Sequence, residues 1–421
     1  MEILAYPASC VKLPFMAAAM QWSRENGVPP SALHASVGPM ITVSSNEATG
    51  EVVDAITGTV NLDDLTTATD FRFRSWADKR RYTERFLESR GLLGNQTIIH
   101  KTFPTNSGRS PRGAENVARM AFGGNRMQPR LSASLMLEIA TGVLEPQAHA
   151  YMMQQLRHDR HTDDSVVGWG LPPGTEYFNK PGVAYDTCED IAFARLPNGR
   201  EFVIAAYSNS WDRGQPLPHD ANRLGRFTEI LLHQTGLTEG LTTVYAFADG
   251  FHAAPALPGD APSPHLRLVP NTVTHSPDAV TTATISSTTR TLSTQVPVVI
   301  GRGTSETLAT WTVPLPTSGH YELTAFHPAG RELATSAVLT ISHANGSTTV
   351  ALNQRNGERR PKVLGTYYFG AEPWKSPAAP PATSPTMAQI TVAAPEGQSV
   401  ALDAIRAQLW ALNPPTPEKG K

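Results

Sequence analysis

Apolar residues recur along this chain at two spacings, and the change from one to the other divides it. From Ser9 to about Asn26, Val11, Phe15, Met16, Ala19 and Trp22 fall on one helical face, and Asn26-Gly27 supplies a stop signal. Pro14 is accommodated in the first turn, where backbone N–H groups have no partner within the helix. After the Pro29-Pro30 break, Val52, Val53 and Ile56 mark a second helical stripe. Asp78 to Gly94 reads as a charged helix with Tyr82, Phe86 and Leu87 on its inner face. Ser110-Pro111 starts a helix that continues through Val117 to Phe122, and two more run from Ser132 to Thr141 and from Pro146 to about Arg157. The period then shortens. Glu176 to Tyr185, Asp190 to Leu196 and Glu201 to Ser208 have strand character, and Pro197-Asn198-Gly199-Arg200 between the last two is a hairpin signal. A closing helix from about Asn222 to Gln234 carries Leu224, Phe227, Ile230 and Leu231 on one stripe. Leu241 to Phe247 reads as a further strand, expected to complete the same sheet from its other end.

Beyond Gly250 the helical period disappears. Residues His252 to Pro264 are rich in Ala, Pro and Gly and read as a linker. From Leu266 the chain is rich in Thr, Ser and Val. Strands are expected at Ala309–Leu315, Gly319–His327, Ala337–His343, Ser347–Asn353, Lys362–Phe369, Ala388–Val392 and Val400–Leu409, a spacing that predicts a β-sandwich. Trp311, Tyr321, Tyr367 and Trp374 are read first as sandwich core and edge residues, with a sugar-binding surface as the alternative. The expected organisation is therefore multidomain: α+β, helices packed on an antiparallel sheet, over residues 1–250, a linker over 251–265 and an all-β sandwich over 266–421.

Composition narrows the function classes. The chain has 421 residues, room for two or three domains. It has no run of about 18 apolar residues, so no membrane span is expected. A net charge of −2 argues against a nucleic-acid binder, which carries a basic surplus. Cys10 and Cys188 are too few for a disulfide scaffold and are read as two unpaired thiols. Arg157-His158-Asp159-Arg160-His161-Thr162-Asp163-Asp164 alternates His and Asp, but its arginines repel a cation, and it reads as a solvated turn. No cofactor or metal is expected. Met1 to Ala8 contain neither a basic nor a long apolar stretch, so the expectation is either a cytoplasmic protein or an export signal upstream of the sequence given.

The candidate chemistry sits at three stations. Ser9 and Lys12 are one turn apart at a helix start, a nucleophile beside a base. Ser44-Ser45-Asn46 follows Met40-Ile41-Thr42-Val43, and taken alone such a pattern is a helix cap. Lys180-Pro181-Gly182 lies in a strand, and taken alone is a turn. In this order and with these flanks the three resemble the S-x-x-K, S-D-N and K-T-G motifs of the β-lactamases and penicillin-binding proteins, with Ser45 in place of the aspartate and Pro181 in place of the hydroxyl residue. The resemblance covers residues 1 to about 235 and implies a β-lactamase/transpeptidase-like domain that forms an acyl-enzyme. Ser9 is the implied nucleophile, Lys12 its base, and Ser44 the relay to the leaving group. Backbone N–H groups of Ser9 and Val183 form the implied oxyanion hole. Asn46 binds a substrate amide, Lys180 its carboxylate, and Gly182 permits close approach. Substrates of that type are β-lactams, cell-wall peptides or esters, small molecules or peptides met in the periplasm or outside a bacterial cell.

Two departures stand against full turnover. The glutamate that activates the deacylating water in that family has no counterpart here, since Glu84, Glu88 and Glu115 all fall on helices, and His100 and Lys101 stand in a loop where a histidine is expected to be solvated. The two strands that precede the family's S-x-x-K helix are also missing. The alternative is thus a catalytically impaired domain serving as a binding or scaffold protein at the cell surface. In the second half, Gly319-His320-Tyr321-Glu322-Leu323, Ser342-His343-Ala344-Asn345-Gly346 and Leu364-Gly365-Thr366-Tyr367-Tyr368-Phe369 resemble the golvesin C-terminal domain, an appendage that implies contact with a cell wall or polysaccharide.

Overall fold

The structure is a computed structural model. It describes residues 3–101, 112–162, 165–184, 187–209, 218–239, 241, 243–247, 266–268, 272–275, 280–287, 290–302, 309–327, 333–355, 362–370, 386–393, 395, 398–402 and 404–409. The chain separates into two compact units. One comprises Met1–Trp169, Glu176–Arg195 and Glu201–Arg213, the other Gly170–Thr175, Leu196–Arg200 and Gly214–Lys421.

In the first unit a 3₁₀ turn, Ala8–Val11, feeds helix α1, Lys12–Glu25. This is the helix expected from Ser9, begun by one tighter turn, with Pro14 in its first α-helical turn as anticipated. Helix α2, His34–Thr42, had no counterpart in the expected pattern because Gly38-Pro39 reads as a break. It runs through Pro39, and the proline carbonyl accepts from the N–H groups of Val43 (3.4 Å) and Ser45 (3.0 Å) beyond the helix end. Helices α3, Asn46–Thr57, α4, Phe71–Arg80, and α5, Tyr82–Ser89, follow, so the charged helix expected from Asp78 is two helices meeting at Arg81. Phe86 and Leu87 are buried as expected. Then come α6, Gly113–Phe122, α7, Pro129–Ala140, and α8, His149–Leu156. The start signal at Ser110-Pro111 lies outside the described residues.

The sheet of this unit has the order β1-β2-β3-β4, all antiparallel, with β1 Arg157–His158, β2 Glu176–Ala184, β3 Thr187–Arg195 and β4 Glu201–Asn209. Arg157 and His158 therefore pair with β2 and the chain then turns, as expected of this run, with Arg157, Asp159 and Thr162 exposed but Arg160 buried; Asp163 and Asp164 lie outside the described residues. Helix α1 supplies Leu13, Phe15, Met16 and Met20 to a core shared with α3, α5, α7 and α8 and with Phe178, Ile191 and Phe193 of the sheet. Nearly every residue of α1 from Lys12 to Met20 is buried, which makes it the central helix rather than an amphipathic one.

The second unit is a β-sandwich. One sheet has the order β13-β12-β15-β10-β7 and the other β14-β11-β17-β5-β6, with a three-stranded sheet β16-β9-β8 beside them. The strands are β5 Thr243–Phe247, β6 Leu266–Leu268, β7 Thr272–His275, β8 Val280–Ser287, β9 Arg290–Arg302, β10 Ala309–Leu315, β11 Gly319–Phe326, β12 Ala337–His343, β13 Gly346–Leu352, β14 Lys362–Phe369, β15 Thr386–Ala393, β16 Ser399–Leu402 and β17 Ala404–Leu409. Trp311, Leu339 and Ile390 from one large sheet and Tyr321, Leu323 and Ile405 from the other share one core. Trp311 and Tyr321 are fully buried, which removes them from any sugar-binding surface, and Trp374 lies outside the described residues. Strand β5 pairs antiparallel with β17 and parallel with β6, so Leu241 to Phe247 serves the sandwich and not the first sheet.

Helix α9, Pro218–Gln234, also belongs to this unit. Its inward residues are Thr228, Glu229, Leu232 and His233, whereas Phe227, on the expected apolar stripe, is 51% exposed. Glu229 faces Arg406 at 3.8 Å and Gln408 at 3.5 Å, a buried polar seam that hydropathy alone does not reveal. The residues expected to form the linker lie outside the described residues. Among the described residues no helix is long and apolar enough to cross a membrane.

Candidate active site

The three stations meet around one amine. Lys12 is fully buried, and its Nζ lies 3.0 Å from Ser9 Oγ, 3.1 Å from Ser44 Oγ, 2.5 Å from the Ser44 carbonyl and 2.8 Å from Asn46 Oδ1. Four acceptors surround a group with at most three protons. Two of them, the carbonyl of Ser44 and Oδ1 of Asn46, only accept, so a neutral amine spends both its protons there. Its lone pair is left facing the two serine hydroxyls. Burial is the largest influence on Lys12 and the charge of Lys180 the next, opposed by Glu47, and together they bring it down to about 7.

The backbone is bent to make this possible. Among the described non-glycine residues, only Ala8 (φ 42°) and Ser44 (φ 57°) have positive φ, and they stand beside and within the cluster. A side chain in that region is strained by about 1–2 kcal/mol. The loop holding Ser44 is pinned at Pro39 from one side and by the N-terminus of α3 from the other. Ser45, at the position of the missing aspartate, caps that helix: its Oγ accepts from Ala48 N–H at 3.1 Å, and its carbonyl accepts from Thr49 Oγ1 at 2.7 Å. Ser45→Ala is expected to cost about 1 kcal/mol in urea unfolding, the usual worth of such a cap, while Ser45→Asp retains it.

Strand β2 carries the third station. Lys180 is fully buried and its Nζ donates to the Pro181 carbonyl at 3.0 Å. Gly182 is required by packing: a Cβ there would stand 2.7 Å from the Pro7 carbonyl and 3.0 Å from both Cys10 Sγ and Glu189 Oε2. The strand is thereby pressed against the turn that bears Ser9, and the Cys10 thiol donates to the Lys180 carbonyl at 3.2 Å. Cys10 and Cys188 are both free and buried, and burial pushes the Cys10 thiol well up, so it is inert. Val183 is 44% exposed. Strand β1 pairs with β2 only at Tyr177 and Phe178, and among the described residues the edge from Asn179 to Ala184 has no strand partner on that side.

Several buried groups here were not singled out from the sequence. Asp190 accepts from Val167 N–H (3.0 Å), Asn179 Nδ2 (2.8 Å) and the Tyr177 hydroxyl, and burial raises its carboxyl. Glu189 is buried opposite Gly182. The signal was present as Glu189-Asp190, two adjacent acids opening an apolar strand. Of the carboxylates weighed as water activators, Glu84 and Glu115 are committed elsewhere and Glu88 is exposed. Glu84 accepts from Ile98 N–H at 3.0 Å and Arg81 at 2.7 Å, and Glu115 faces Arg80 at 3.2 Å and His100 Nδ1 at 3.5 Å. His100 is fully buried and its Nε2 lies 2.8 Å from the Gly123 carbonyl, so it is no solvated loop residue.

Residues 32–231 match the β-lactamase enzyme family model, and residues 274–375 match that of the golvesin C-terminal domain. The chain is thus similar to the β-lactamase enzyme family over residues 32–231 and to the golvesin C-terminal domain over residues 274–375. The first match takes in Ser44, Asn46 and Lys180 and begins after Ser9 and Lys12. Golvesin of Dictyostelium discoideum is 33% identical over 236 residues, 56% of this chain, and the chain spans 41% of that relative's length. Among solved structures, a β-lactamase from Sphaerobacter thermophilus DSM 20745 is similar at 19% identity over 56% of this chain and 84% of its own, with a TM-score of 0.40. A class A β-lactamase from Mycobacterium abscessus is similar at 14% identity over 56% of this chain and 86% of its own, with a TM-score of 0.41.

Proposed function

We propose that the first unit is a serine hydrolase working through an acyl-enzyme on Ser9. The observation that carries this reading is the placement of Lys12 Nζ, 3.0 Å from Ser9 Oγ and 3.1 Å from Ser44 Oγ while two groups that only accept take up its protons. Ser9 Oγ attacks an acyl carbonyl and its proton passes to Lys12 Nζ. The oxyanion accepts from the backbone N–H groups of Ser9 and Val183, each such donor being worth about 3–4 kcal/mol of barrier. The bond to the leaving group then breaks, and the leaving atom takes the proton from Lys12 through the Ser44 hydroxyl. Water completes hydrolysis and restores Ser9. Asn46 both holds Lys12 and faces a substrate amide. Lys180 acts on Lys12 through its charge. The substrates are small molecules or peptides, and the sandwich is a separate carbohydrate- or wall-directed appendage.

A fluorophosphonate or fluorescent penicillin probe tests the nucleophile. A Ser9-dependent adduct, seen by mass spectrometry on the parent and lost in Ser9→Ala, is the expected result; equal labelling of both would sink the assignment. A second reading is favoured by the engagement of Glu84 and Glu115: acylation without efficient release, as in a binding protein. In that case the penicillin adduct persists for hours after excess probe is removed.

A further inference from the structure

From the same site we infer that the substrate is an ester or amide without a free carboxylate next to the bond that is cut. The inference rests on the acyl-enzyme reading above and adds the substrate class to it. Four features bear on it together. First, the cation placed to receive a carboxylate is not displayed: Lys180 is fully buried and its ammonium donates to the carbonyl of Pro181 in its own strand. Second, its charge is partly offset within the fold. In the β2–β3 register Lys180 lies opposite Ile191 and Gly182 opposite Glu189. Lys180 and Glu189 are therefore diagonal neighbours on one face, within reach of long side chains, and Glu189 is itself buried. The Glu189 carboxylate offsets part of that charge for a third, negatively charged partner, and the field that remains is felt by Lys12.

Third, the position beside Lys180 supplies no neutral donor to share a carboxylate. Pro181 has neither a hydroxyl nor an N–H, so the residue next to Lys180 contributes nothing that donates. Fourth, the residues flanking the cluster do not attract an anion: beside two exposed valines stands the exposed Glu47, whose charge acts on Lys12. Val183 is 44% exposed on β2, and Val43, immediately before Ser44, is 70% exposed. A carboxylate moved from water to such a place is desolvated without a matching partner, whereas an uncharged leaving group loses little. The chemistry is unchanged: Ser9 is acylated, the leaving oxygen departs with the proton relayed by Ser44, and water releases the acid.

The test compares the phenyl ester and the 3-carboxyphenyl ester of one N-acylglycine, with benzylpenicillin as a third acyl donor. The full chain is used, phenol release is followed for the esters, and the covalent adduct is followed by mass spectrometry. The expected result is a kcat/KM for the phenyl ester at least tenfold above that of the carboxylated ester, with penicillin acylating more slowly than either. Pro181→Thr is expected to narrow the ratio by restoring a hydroxyl, and Glu189→Gln to narrow it by uncovering the charge of Lys180. A preference for the carboxylated ester, or penicillin as the fastest donor, overturns the inference while leaving acyl transfer intact. No Ser9-dependent reaction with any of the three overturns the acyl-enzyme reading itself.

Discussion

Lys12→Met is expected to lower Ser9 acylation by about 10³-fold, because a positioned general base contributes 10² to 10⁴ and this one is also the proton donor to the leaving group. The parent's acylation rate should rise with pH to a plateau, with its midpoint near 7, as Lys12 loses its proton. The variant should show no such limb. Folding stability gives an independent readout. The native amine titrates near 7 against an ordinary value of 10.5, so between those values the unfolded chain binds more protons than the native one. Stability held at this group therefore climbs with pH across that window and is lowest below it. Between pH 6 and pH 9 the parent should gain roughly 2–3 kcal/mol relative to Lys12→Met in urea unfolding. A pH-independent difference would mean that Lys12 is not neutral in the native site.

Gly182→Val is expected to destabilise the first unit by about 3 kcal/mol and to slow acylation by more than tenfold. The Cβ alone would press on a backbone atom, the Pro7 carbonyl, which has no rotamer to escape into. Either β2 leaves the turn or the turn leaves β2, and in both cases Ser9 moves relative to the β2 edge at Val183. A displacement of about 1 Å is enough to cost 10² in rate. Gly182→Ala should fall between parent and Val in both unfolding midpoint and acylation rate. Loss of stability with unchanged acylation would separate the packing of Gly182 from the placement of Ser9.

The pairing of Ser9 with Lys12 was legible because helical spacing converts three residues of sequence into one face. Strand positions were legible for a similar reason: six of the seven expected strands of the sandwich lie close to their observed limits, and the seventh, Val400–Leu409, divides into β16 and β17 of different sheets. Other features escaped because their causes are not local. Helix α2 survives Gly38-Pro39 since tertiary packing outweighs the local break, and the same Pro39 holds the Ser44 loop. His100 is buried because Glu115 and Gly123, distant in sequence, meet it. Phe227 faces outward and Glu229 inward because Arg406 and Gln408 lie beneath the helix. Hydropathy scores a residue alone, and a charge buried with its partner violates the score without violating the physics.

Strand β5 carries a lesson about modularity. The golvesin-type match runs from residue 274 to 375, yet β11 and β14, inside it, are completed by β17 and β5, which lie beyond it on opposite sides. The unit of sequence inheritance and the unit of cooperative folding are therefore different objects in this chain. A fragment cut to the matched span would keep the recognisable residues and expose the bare ladder edge of β11, an invitation to intermolecular pairing. Grafting this appendage onto another protein thus requires the segment that precedes it as well as the one that follows.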